Sequence, residues 1–144
     1  MLFTVRHILQ SKGSDIWSIS PKATGYDALR MMSDKDIGAL LVMEGDTLVG
    51  ILSERDYARK IILKGKASKD VPVSEIMSSP AITVAPSASL EDALAVMSAN
   101  HIRHLPVEAE VSIYGVLSMR DVMTAIIEKQ DDTIRFFKDL ATDI

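Results

Sequence analysis

Apolar positions along this chain follow first a strand-like and then a helix-like period, and the whole course is run twice. Residues 16–19 (IWSI) read as a short strand that Pro21 ends, because proline restricts the residue before it and breaks the ladder. Thr24 stands three residues before Asp27, the signature of a helix start, and Ala28, Leu29 and Met32 then recur at helical spacing. GALLVM (38–43) is an apolar run of strand length, EGD (44–46) a hairpin turn between Val42 and Leu48, and TLVGILS (47–53) a return strand that runs straight into a second helix. The second course has a strand at 82–84, Pro86, Ser89 three residues before Asp92, and Ala93, Leu94 and Met97 at helical spacing. HLPV (104–107), EAE (108–110) and SIYGVLS (112–118) follow, again running into a helix. EAE has no glycine and makes a poorer turn than EGD.

Superposed at a constant offset of 65, residues 16–63 and 81–128 share 17 identities in 48 positions without a gap. They include Gly50/Gly115, Ser53/Ser118, Arg55/Arg120 and Asp56/Asp121. A lead-in, VRHIL (5–9) against VSEIM (73–77), matches at an offset of 68, so the first copy carries about three extra residues near SKGS. Two copies are too few for a solenoid. The expected fold is α/β (α+β): two β-α-β-β-α units packed with pseudo-twofold symmetry. The expected boundaries are 1–63 for the first unit, 64–72 for a polar linker, 73–128 for the second unit and 129–144 for a C-terminal helical extension. That extension either continues the preceding helix or adds one, with Ile134, Phe137 and Leu140 on one face. Apolar helix faces after residues 56 and 121 suggest a homodimer.

Composition narrows the function classes. The chain has 144 residues, 47% hydrophobic and 25% charged, as in a globular protein. No apolar run approaches the roughly 20 residues needed to span a bilayer, and the N-terminus has no signal-peptide pattern. Zero cysteines remove disulfides and thiolate metal sites, and fit a cytoplasmic location. A net charge of −4 argues against a general nucleic-acid binder, which needs a basic stripe to displace counterions. Membrane association has no support. No nucleophile elbow, Walker loop or GxGxxG occurs, so no enzyme is expected. His101-x-x-His104 lacks a third ligand at fitting spacing, so no metal is expected. Met31, Met32, Met97 and Met123 read as core filler.

The repeated Ser-x-Arg-Asp has two physical readings. Ser-x-x-Asp caps a helix, as Thr24/Asp27 and Ser89/Asp92 do. At a strand-to-helix junction it also sets a hydroxyl, a helix N-terminus and a carboxylate on one turn. Phosphate oxygens are attracted to the first two, and the carboxylate accepts both hydroxyls of a ribose. The two roles are compatible.

Two units in register, each ending Gly-φ-φ-Ser-x-x-Asp (φ apolar) before a helix, resemble a tandem pair of CBS domains, the Bateman module, over about residues 1–128. The resemblance implies a regulatory module that binds an adenosine-containing ligand, AMP or NAD first and ADP, ATP or S-adenosylmethionine as further candidates, and that signals to an unidentified downstream protein. By the family pattern each cleft joins the motif of one unit to strands of the other. Ser53 and Asp56, with Arg55 and Arg59 nearby, would face Ile82, Thr83, Arg103 and His104. Ser118 and Asp121, with Arg120, would face Ile16, Trp17, Ser18, Gly38 and Ala39, with Lys12 in reach. Trp17 is read either as core or as flanking the base. Arg103 and His104 would then make the Asp56 cleft the tighter for phosphate. The alternative is a ligand-free scaffold for dimerisation or protein interaction.

Overall fold

In a computed structural model of the chain, residues 4–13, 15–110 and 112–142 are described. They form two compact units, Asp15–Ile82 and Met1–Ser14 together with Thr83–Ile144. These do not follow the repeat boundaries. Each lead-in segment packs with the core of the other repeat.

In the first unit, β1 (Ser18–Ile19) lies parallel to β2 (Ala39–Glu44), and β2 pairs antiparallel with β3 (Thr47–Ser53). Gly45, at φ 62, supplies the left-handed backbone that the tight β2–β3 hairpin requires. Helix α2 (Gly25–Lys35) starts on a full capping box between Thr24 and Asp27. After β3 comes a single α turn, α3 (Glu54–Tyr57), and then a π-helical segment, Ala58–Ile62. The core joins Ile19, Ala28, Met32, Leu40, Val42, Leu52 and Ile61 to Val73 and Ile76 of the short helix α4 (Val73–Ile76). The 64–70 stretch is tied into this unit, since Tyr57 Oη donates to Ser68 Oγ at 3.2 Å and Tyr26 N to the Ser68 carbonyl at 3.0 Å.

The second unit repeats the plan with α1 (Val5–Lys12) in the place of α4, then α5 (Leu90–Asn100), β4 (His104–Ala109), β5 (Ser112–Ser118) and α6 (Met119–Thr142). Val5, Ile8 and Leu9 join Leu90, Ala93, Met97, Leu105, Val107, Leu117 and Val122 in its core. The same hydrogen bond docks both lead-ins: Val73 N donates to the Ala23 carbonyl at 2.7 Å, and Val5 N to the Ala88 carbonyl at 2.9 Å. The glycine before each motif makes room for the same chain segment. A Cβ on Gly50 would lie 2.7 Å from the Ser78 carbonyl oxygen, and one on Gly115 would lie 3.1 Å from Leu9 Cδ2.

Several expected elements differ. The strand at 16–19 is confined to Ser18–Ile19, and the strand at 82–84 is only an isolated bridge from Val84 to Val107. In the first unit Leu41 N donates to the Trp17 carbonyl at 3.3 Å. The residue at the matching place in β4 is Pro106, which has no N–H to give. The weaker turn does close a hairpin, with Ala109 opposite Ser112 and Glu110 at φ 57; Val111 lies outside the described residues. Met32 and Met97 are core, whereas Met123 is 43% exposed on α6. The C-terminal extension continues α6 as one helix through Thr142.

Candidate functional site

Both motifs form at the end of a central-hairpin strand. In the first, Ser53 is extended (φ −109, ψ 162), which turns its side chain back over the next turn. Asp56 N donates to Ser53 Oγ at 3.1 Å, while Ser53 N and Ser53 Oγ donate to Asp56 Oδ2 at 3.0 and 3.1 Å. In the second, Asp121 N donates to Ser118 Oγ at 3.0 Å and Ser118 N to Asp121 Oδ2 at 2.9 Å. Each carboxylate is half-buried and held in one orientation by its cap. An ionised carboxylate offers about four lone-pair positions, so the caps alone leave acceptor capacity in both.

The strand opposite completes each junction. Glu54 N donates to the Gly38 carbonyl at 3.0 Å, and Ala39 pairs with Ser53. In the other unit Met119 N donates to the Arg103 carbonyl at 2.7 Å, and His104 pairs with Ser118. Arg103 is exposed and His104 half-buried. The two basic residues expected opposite Asp56 are therefore joined by backbone hydrogen bonding to the start of the Ser118–Asp121 motif of their own unit. Gly38 and Ala39, expected with Asp121, adjoin Ser53. The offset fixes this: Gly38 and Arg103 are equivalent positions of the two repeats.

The remaining candidates sort by unit. Ile16, Trp17, Ser18, Arg55, Arg59 and Ile82 belong to the first, and all are exposed. Trp17 is 36% exposed, and Lys35 Nζ sits 4.1 Å from its ring centroid, a cation–π contact. Thr83 and Arg120 belong to the second unit and are exposed. The Lys12 side chain lies outside the described residues. Among the described residues there is no group of three or more His, Cys, Asp or Glu side chains arranged to hold a metal ion, and no helix is long and apolar enough to cross a membrane.

One residue was missed. Lys60 Nζ lies 3.3 Å from Asp56 Oδ1 and donates to the Ile76 carbonyl at 2.9 Å, so both oxygens of Asp56 are engaged. The signal was available, since a lysine four residues after an acid on a helix faces it. At the matching place in the second repeat stands Ala125. Lys35 over Trp17 is the other omission, and its spacing in sequence offered no such clue.

The CBS domain family model matches residues 5–63 and again 73–128. The mitochondrial CBS domain-containing protein CBSX3 of Arabidopsis thaliana is 34% identical over 142 residues, covering 92% of this chain and 68% of its own length. A solved structure of a candidate signal-transduction protein with CBS domains from Burkholderia ambifaria MC40-6 is 39% identical, with a TM-score of 0.84 over 88% of this chain and 96% of that one. The hexameric CBS-CP12 protein of bloom-forming cyanobacteria is 26% identical, with a TM-score of 0.79 over 99% of this chain and 86% of that one.

Proposed function

This chain belongs to the CBS-domain family, with two copies in tandem, and on that premise we propose that it is a regulatory module that binds an adenosine-containing ligand. Its task is to sense a nucleotide and pass the signal to another protein, rather than to catalyse a reaction. The observation that carries the reading is the half-buried carboxylate at each strand-to-helix junction, oriented by its own cap toward a fixed position. A carboxylate that accepts and cannot donate suits the paired hydroxyls of a ribose. Ser53 and Ser118 stand at the first turn of a helix, the end whose dipole attracts phosphate. Arg103 and Arg120 supply positive charge near Asp121, with His104 beside Ser118, and Arg55 and Arg59 supply it near Asp56. Ile16, Trp17 and Ile82 are exposed apolar side chains of the first unit that would flank a base; Ser18, Gly38, Ala39, Thr83 and Lys12 complete the candidate set.

AMP or the AMP half of NAD is the favoured ligand, because one ribose and one phosphate match the carboxylate and the arginine; ADP, ATP and S-adenosylmethionine share the ribose contact. The module works as a homodimer in the cytoplasm, with an unidentified protein downstream. The engaged carboxylate of Asp56 favours a second reading for the first repeat, in which that motif is a structural cap within a scaffold.

Trp17 is the sole tryptophan, so its fluorescence reports on the first unit, while thermal unfolding reports on the whole chain. AMP at 100 times its dissociation constant is expected to add about 2.7 kcal/mol of stability. If AMP, NAD, ATP and S-adenosylmethionine at millimolar concentration leave the unfolding temperature unmoved, the sensor reading is wrong and the scaffold reading stands.

A further inference from the structure

Helix α6 is 24 residues long, yet Val122 is its one buried residue. Its first turns lay Met119, Ala125 and Ile126 on the core of their unit. Lys129 then meets Glu91 at 3.4 Å, and beyond it every residue from Gln130 to Thr142 is exposed. A polar tail would need no explanation, but this one is not polar. Met123, Ile127, Ile134 and Phe137 are 43, 54, 53 and 63% exposed. Together with Gln130 and Ala141 they fall at alternating steps of four and three residues, which draws one continuous stripe along the helix. Apolar stripes of this kind in water mark an interface.

The charges beside the stripe say which partner fits. Asp131 and Lys138 lie one heptad apart on the same flank and are opposite in sign. If two copies of α6 pair antiparallel about a twofold axis near residue 135, Asp131 of each copy stands opposite Lys138 of the other, and one symmetry operation makes both pairs. In a parallel pairing the residues brought toward Asp131 and Lys138 are Ile126 and Thr133, which give no ion pair. The stripe and its flank are thus self-complementary in a single orientation.

We propose that the α6 face of Ile127, Ile134 and Phe137 docks onto the same face of a second copy of this chain, antiparallel. This gives the homodimer a surface and does not depend on ligand binding. Sedimentation equilibrium of the full chain tests it. The parent is expected to dimerise, and Ile134→Glu to weaken that association about thirtyfold or more, the effect typical of a central interface residue. Because Ile134 is exposed, the variant keeps its far-ultraviolet circular dichroism. Asp131→Lys is expected to weaken the dimer, and Asp131→Lys combined with Lys138→Asp to restore it. A monomeric parent would overturn the proposal and assign the stripe to a different protein, as would a dimer indifferent to Ile134→Glu or a charge swap that fails to rescue. AMP titration of the same variants separates this from the ligand reading: loss of dimer with AMP response intact is expected, and a parent that dimerises as described but ignores AMP would sink only the sensor.

Discussion

The junctions at Ser53 and Ser118 share a sequence, a cap and a strand register, yet they are wired to different neighbours. Asp56 has its second oxygen on Lys60, which is anchored in turn on the Ile76 carbonyl; the matching place beside Asp121 holds Ala125. The strand paired with the second motif begins at His104, just after Arg103, where the strand paired with the first begins at Ala39, just after Gly38. The first motif opens a single α turn before a π segment, while the second opens a continuous helix of 24 residues. A duplicated motif can thus keep its local geometry while its two copies diverge in the charge placed around it. The basic residues next to the second motif make it our proposed ligand site, whereas pairing each motif with the opposite repeat puts the tighter site at the first.

The largest expected effect tests that order directly. Asp121→Ala should weaken AMP binding by about 30- to 150-fold, the loss of a charge-assisted contact of about 2–3 kcal/mol, whereas Asp56→Ala should lower stability by about 1 kcal/mol through its cap and change affinity little. Isothermal titration with AMP reads both, and equal losses would break the comparison.

Next is the pair of glycines. Alanine at Gly50 meets a backbone carbonyl, which cannot step aside without moving the Met77–Ser78 segment, so a cost of about 1–3 kcal/mol is expected. Alanine at Gly115 meets only the end of the Leu9 side chain but must also take φ 153, a conformation strained for any L side chain. Urea unfolding of both variants should show loss in each. A fully stable Gly50→Ala would mean that the Ser78 approach is not needed.

A smaller effect follows from moving the lysine. The Lys60–Asp56 pair is partly exposed, at 41% and 19% of side-chain surface, so it is worth at most about 1 kcal/mol. Lys60→Ala should raise AMP affinity at the first motif by no more than about fivefold, and Ala125→Lys should lower it at the second by a similar factor. If titration shows neither change, Lys60 does not separate the motifs.

The smallest is a surface titration at the start of α5. Backbone hydrogen bonding at its own position and, next, the nearby Lys129 hold the Glu91 carboxyl below its ordinary value. A carboxylate with a lowered folded-state pKa favours the folded chain above its unfolded pKa, and that contribution is lost as pH falls through the lowered value. Lys129→Ala should bring the Glu91 titration part of the way back up, as read from side-chain carboxyl shifts in nuclear magnetic resonance. An unmoved titration would leave the backbone as the whole cause.

What the chain's own order of residues determined is local. The helix starts at Thr24, Ser53, Ser89 and Ser118 rest on bonds between groups three residues apart. The EGD hairpin rests on one glycine, and the buried helix stripes on a period of 3.6 residues. All were readable because their partners are neighbours in sequence. The missing strand at 82–84 was readable too, once Pro106 is set beside Leu41. Tertiary structure alone decided the rest: that each lead-in packs on the other repeat's core, and that Lys60 reaches the Ile76 carbonyl. Those contacts join positions from 16 to more than 80 residues apart, and their energies come from burial and from hydrogen bonds shielded from water. No local period or spacing records which distant surface will supply that shelter.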